Sequence, residues 1–267
     1  MDASPPPPNA SGTILSVWAH PDDETYLAGG LMAAARDRGQ RVVCASASAG
    51  EHGTDDPATW PPDRLGALRR WEAAAAMAVL GVTEHHIGGF PDGALADHAA
   101  AGVNWVGRLL DVVRPDTIVT FGADGITFHP DHVAVHHWVT QAWCDRGRPG
   151  RLLYAAPTVA HLDRFGARYE EWGIYMGDER PTGVAAERLA LHLRLTGWEL
   201  DRKVAALRTM ATQTGGVVAE LGLALYADMN AEESYVAATG PAPRRHSRRP
   251  AMASATVAPG AAAGRGG

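Results

Sequence analysis

Five short strand candidates constrain this chain more than any other feature. They lie at 13–18, 41–47, 84–87, 117–121 and 152–156, and they alternate with segments of helical spacing near 25–38, 64–80, 98–113 and 131–144. Such alternation predicts βαβ units and therefore a mostly parallel sheet. A sixth run differs in kind: Leu189, Leu191, Leu193 and Leu195 alternate with Ala190, His192 and Arg194, the pattern of a strand with one buried and one wet face, and it leads to a helix expected over about 199–212. With 267 residues, 46% of them apolar, the chain can bury the core of one α/β domain. No G-x-G-x-x-G follows the first run, so a dinucleotide has no seat and a nucleotide-dependent oxidoreductase is a poor reading.

The end of the first run is chemically dense. His20-Pro21-Asp22-Asp23-Glu24 places an imidazole and three carboxylates at the junction between strand and helix, where open α/β sheets build their sites. Carboxylates crowded there repel one another, and a divalent cation is the simplest relief. A second cluster, Gly125-Ile126-Thr127-Phe128-His129-Pro130-Asp131-His132, comes after the fourth run, with Pro130 suited to a first helical turn. His20, Asp23 and His132 together offer two imidazoles and one carboxylate, the donor set of a catalytic zinc that keeps a coordination position open. Iron(II) suits the same set. Two plainer readings compete. The acids can serve the helix dipole, which leaves His20 unexplained, and His132 with His136 has the spacing of H-E-x-x-H metalloproteases, but Val133 stands where that motif needs Glu.

The paired motifs resemble the PIG-L/LmbE-type deacetylases, zinc hydrolases that remove acetyl groups from N-acetylglucosamine-containing molecules. Further matches are Ser48-Ala49-Gly50-Glu51, Arg69-Arg70-Trp71-Glu72, Leu80-Gly81-Val82 and Phe90-Pro91-Asp92-Gly93, so the resemblance spans about residues 13–140, with a weaker echo at 201–207. It implies a Rossmann-like α/β fold: one domain, a mostly parallel sheet and helices on both faces. It also implies zinc on His20, Asp23 and His132, with Asp22 as general base. His129 then meets the oxyanion or the leaving amine, and Asp131 orients it. Glu51, Arg69 and Asp92 are candidate substrate contacts, though each has an ordinary reading as loop, ion-pair or turn residue. Trp60, in a Pro-flanked loop, is a candidate for stacking on a sugar ring. The expected substrate is a small N-acetylated aminosugar or its conjugate. An amidase acting on a larger thiol-conjugate amide and a catalytically idle metal- and sugar-binding protein are the alternatives.

The remaining expectations come from composition. Residues 1–12, rich in Pro, and 240–267, built of Ala, Gly, Pro, Ser and Arg, are expected to be disordered, leaving a deacetylase-like domain over 13–239. Five Arg and no acid fall in 240–267, so residues 1–239 carry 19 basic against 30 acidic side chains, net −11. An acidic body is a poor platform for nucleic acid. Two distant cysteines, Cys44 and Cys144, suggest a reduced compartment and packing as small apolar groups. No 18-residue apolar span or signal-peptide pattern is present, which points to a cytoplasmic enzyme with no membrane partner; homo-oligomerisation is left open.

Overall fold

The computed structural model of the chain describes residues 12–239, so all of the basic tail and all but Gly12 of the Pro-rich start lie outside the described residues. The five strand candidates form β1 (Thr13–Trp18), β2 (Arg41–Ser46), β3 (Glu84–Ile87), β4 (Thr117–Phe121) and β5 (Arg151–Ala155), all parallel. Between them run α1 (Asp23–Asp37), α2 (Pro62–Leu80), α3 (Ala99–Val113) and α4 (Pro130–Asp145). A seven-stranded sheet results, ordered β3-β2-β1-β4-β5-β7-β6 once β6 (Leu191–Arg194) and β7 (Glu232–Ala237) join antiparallel at one edge.

The central strands β1, β2 and β4 are largely apolar and buried because helices cover both of their faces, whereas β3 (Glu84-His85-His86-Ile87) lies at the sheet edge and stays half-buried. From β1 the chain steps outward through β2 to β3, then returns to β4 and steps the other way to β5. Right-handed crossovers in opposite directions put α1 and α2 on one face and α3 and α4 on the other. β1 and β4 are neighbours at the point where the direction reverses, so a crevice opens beyond their carboxyl ends. Trp18 and Phe121, the last residues of these two strands, meet edge to face with ring centroids 4.8 Å apart and close the core beneath it. On the opposite face α3 approaches α4 closely because Gly102 has no side chain: a Cβ there would lie 2.0 Å from the Trp138 ring.

The second half of the chain contains more structure than its hydropathy suggests. The stretch 157–187 holds α5 (Val159–Glu171), started by Thr158, whose hydroxyl accepts from the His161 amide at 3.0 Å. The helix expected over 199–212 is α6 (Gly197–Thr209), followed by α7 (Ala211–Leu221) and α8 (Leu223–Met229). Lys203 on α6 and Glu233 on β7 form a fully buried ion pair at 2.8 Å. Glu233 also accepts from the amides of Gly30 and Leu31, which ties the antiparallel edge to α1. Cys44 packs in the core as expected, whereas Cys144 is exposed on α4.

Candidate metal centre

The loop from β1 to α1 is a sharp turn. Asp22 adopts φ 113°, ψ −39°, a conformation that non-glycine residues rarely hold and that costs on the order of 1–3 kcal/mol. Several contacts hold it there: its carbonyl accepts from the Thr25 and Tyr26 amides at 2.9 Å each, its amide donates to the Glu24 carboxylate, and its own carboxylate meets Arg69. The consequence is a split in direction. Asp23 turns back to accept from the His20 amide at 2.8 Å, while Asp22 points toward α2.

The corresponding loop after β4 ends with His129 as the N-cap of α4, its Nδ1 accepting from the Asp131 amide at 3.1 Å. In a neutral ring this arrangement leaves the proton on Nε2. His132, one turn into the helix, stacks on Phe121 with centroids 4.2 Å apart. Its Nδ1 lies 3.0 Å from the Gly125 carbonyl and 3.2 Å from the Thr127 hydroxyl.

The two loops converge on Asp23. His20 Nδ1 lies 3.4 Å from one oxygen of Asp23, and His132 Nε2 lies 3.3 Å from the other. In both rings the second nitrogen faces an acceptor: Gly125 O for His132, and the carboxylates of Asp92 (3.0 Å) and Asp131 (3.3 Å) for His20. That is how metal-ligating histidines are held, with the outer nitrogen donating so that the inner lone pair is presented. The ligand atoms of His20, Asp23 and His132 lie within 4.8 Å of one another, as do those of His20, His129 and Asp131. The first set fits a divalent cation in donor chemistry, burial and orientation. His136 stays apart, with Nδ1 on the Phe121 carbonyl at 2.9 Å.

Charge follows from this packing. Burial by itself lowers the pKa of His20, but its hydrogen bonds to Asp131, Asp23 and Asp92 outweigh it and hold the imidazole well above its usual range. Burial would raise Asp23, but the facing imidazoles keep it far below the carboxylate range. His132 is driven down to about 4, mainly by burial. Burial raises Asp22 to about 7 against the opposing pull of Arg69, and raises Glu24 to about 8. His129 is lowered, first by burial and then by the charge on His20.

Several candidate residues sit differently from their sequence reading. Arg69, offered as a substrate contact, is 3% exposed; its guanidinium donates to Gly50 O and Pro21 O at 2.6 Å each and pairs with Asp22 Oδ2 at 3.2 Å. It fits because Gly50 (φ 65°) has no side chain, since a Cβ there would stand 2.0 Å from Nη1. Asp92 is more than a turn residue: one oxygen faces His20 and the other accepts from the His52 amide at 2.8 Å. Glu51 reaches across to accept from the Asp92 amide at 3.0 Å, so it braces that loop. The Asp131 carboxylate accepts from the Gly93 and Leu95 amides and faces His20, and the contact that fixes His129 is the Asp131 backbone N–H. Trp60 lies under the Arg64 guanidinium, 4.6 Å from the ring centroid.

A mostly parallel α/β sheet with a His and carboxylate cluster at its switch point is a hydrolase-like site of the metal-binding kind. A family model described as PIG-L: GlcNAc-PI de-N-acetylase matches residues 15–143. A 1D-myo-inositol 2-acetamido-2-deoxy-alpha-D-glucopyranoside deacetylase of Mycolicibacterium vanbaalenii is 31% identical over 88% of this chain and 94% of its own length. A protein of the same name from Streptomyces avermitilis is 37% identical over 72% of this chain and 70% of its own. The chain belongs to the PIG-L family. In fold it also matches N,N'-diacetylchitobiose deacetylase from Pyrococcus horikoshii, with TM-score 0.61 and 17% identity over 85% of this chain and 84% of that one.

Proposed function

We propose that this protein is a zinc-dependent N-deacetylase that hydrolyses the acetamide of a small aminosugar or its conjugate, with His20, Asp23 and His132 as metal ligands. The observation that carries the reading is the division of labour between adjacent carboxylates. Asp23 faces both imidazoles, while Asp22, held by a strained backbone and by Arg69, is kept out of that set and free to act on a proton. The family relatives, named as deacetylases of an acetamido-sugar inositol, support the substrate class.

When bound, zinc supplies a Lewis acid that polarises the amide carbonyl and acidifies water. The chain's own residues do the rest. Asp22 takes the proton of the water that attacks the carbonyl carbon, and its burial makes it a competent base near neutral pH. Neutral His129, with Nδ1 satisfied, offers Nε2–H to the oxyanion as charge develops. The proton on Asp22 then passes to the nitrogen as the C–N bond breaks, releasing acetate and an amine. Asp92 and Asp131 hold His20 throughout. Among the described residues no helix is long and apolar enough to cross a membrane.

The experiment is to incubate the zinc-loaded protein with a panel of N-acetylglucosaminides and quantify acetate and primary amine. Equal amounts of both from at least one member are expected. Production of neither, by a protein that holds zinc, would overturn the reading.

A further inference from the structure

Beside the metal centre lies a cavity of about 340 Å³ that hydrolysis of an acetamide does not use. Asp23 and His132 line it, together with residues of α1, α5, α7, α8, β7 and the loops after β4, β5 and α5. Tyr26, Phe121, Tyr169, Trp172, Val217 and Leu221 make it strongly apolar. An acetyl methyl would leave most of this volume empty.

Most polar groups on the wall are already engaged with protein partners. Tyr26 and Tyr226 share a hydroxyl–hydroxyl hydrogen bond at 2.9 Å, and His161 Nε2 meets the Tyr169 hydroxyl at 2.8 Å. Ser234 donates to Ala156 O at 2.6 Å, Asn230 donates to Tyr226 O at 2.8 Å, and Glu232 accepts from Thr158 at 2.6 Å. Glu233 is bound by Lys203 and two amides. A sugar ring placed here would find few partners for its hydroxyls, whereas an alkyl or aryl group would displace water at no such cost.

We propose that this cavity takes an apolar chain or ring attached to the substrate, so that the preferred substrate is an aminosugar amide bearing a hydrophobic group. This rests on the deacetylase reading for the position of the scissile amide. The apolar group has two chemical sources, the acyl side of the amide or the aglycone of the sugar, and both present the same surface to the wall.

Two matched pairs separate them: N-octanoyl- against N-acetylglucosamine, and the octyl against the methyl glycoside of N-acetylglucosamine. Each is bound by calorimetry, below the micelle concentration, to the zinc-loaded full chain carrying Asp22→Asn, which stops turnover during the titration. Since a fully buried methylene is worth about fourfold in affinity, the octyl or octanoyl member of one pair should bind at least about 30-fold tighter. The pair that responds identifies the source. In Val217→Asp or Leu221→Glu, at half-buried positions on α7, that ratio should fall to within about threefold, with folding checked by melting temperature. Ratios within about threefold in both pairs, or a ratio unchanged in both folded variants, would overturn the proposal. Binding is thereby read without turnover, and acetate released from the N-acetyl compounds by the zinc-loaded parent chain tests the deacetylase reading separately.

Discussion

The Arg69 guanidinium lies 3.2 Å from the Asp22 carboxylate and also clamps the carbonyls of Pro21 and Gly50, so one buried cation holds both the base and the turn that presents it. Arg69→Met should remove the charge that opposes burial at Asp22. The Asp22 pKa then rises from about 7, the base is deprotonated only at higher pH, and the acid limb of kcat/KM moves up. Stability should fall by on the order of 3 kcal/mol, as for breaking a buried pair. A pH–rate profile and urea unfolding check both; an unmoved acid limb would separate Asp22 from the chemistry.

Asp22→Asn should keep its zinc and lose turnover by about 10²–10⁴-fold, because an amide cannot take the water's proton. Metal analysis alongside single-turnover kinetics reads the two effects apart. Normal turnover at full zinc occupancy would remove Asp22 from its role.

Asp92 and Asp131 both face the outer nitrogen of His20. Asp92→Asn should weaken zinc affinity by about 10–100-fold, the usual effect of losing a carboxylate that supports a ligating histidine. A competition titration with a chelator measures it, and an unchanged affinity would assign the support to Asp131 instead.

His85 on β3 is driven down to about 4 by burial, against about 6.5 in an unfolded chain. Between these values the unfolded state binds a proton that the folded state does not. Stability therefore rises with pH across that window and is lost as pH falls through it. Denaturant titrations from pH 4.5 to 7.5 should show a shallower slope in His85→Gln than in the parent.

The parallel core and the meeting of His20, Asp23 and His132 are legible in the sequence because both depend on local signals: apolar runs buried on two faces, and ligand-type residues at the ends of β1 and β4. β7 is not, since Glu232-Glu233-Ser234 reads as a wet surface until Lys203, thirty residues earlier in the chain, is seen to neutralise Glu233 in the core. Asp92 reads as a turn residue because its partner His20 lies 72 positions away. Arg69 reads as free to bind substrate for the same reason: the carbonyls and carboxylate that engage it belong to loops that only the fold brings to α2. The Thr158 cap of α5 is visible in principle, as a hydroxyl residue preceding Val159, Leu162 and Phe165 at helical spacing.

Acetate release during zinc titration of the chelator-stripped protein, with an N-acetylglucosaminide as substrate, tests the central claim most directly. The stripped protein should be inactive, activity should climb to a plateau at one zinc per chain, and Asp23→Ala should neither retain zinc nor recover activity. Full acetate release by the stripped protein, or by zinc-free Asp23→Ala, would contradict the account.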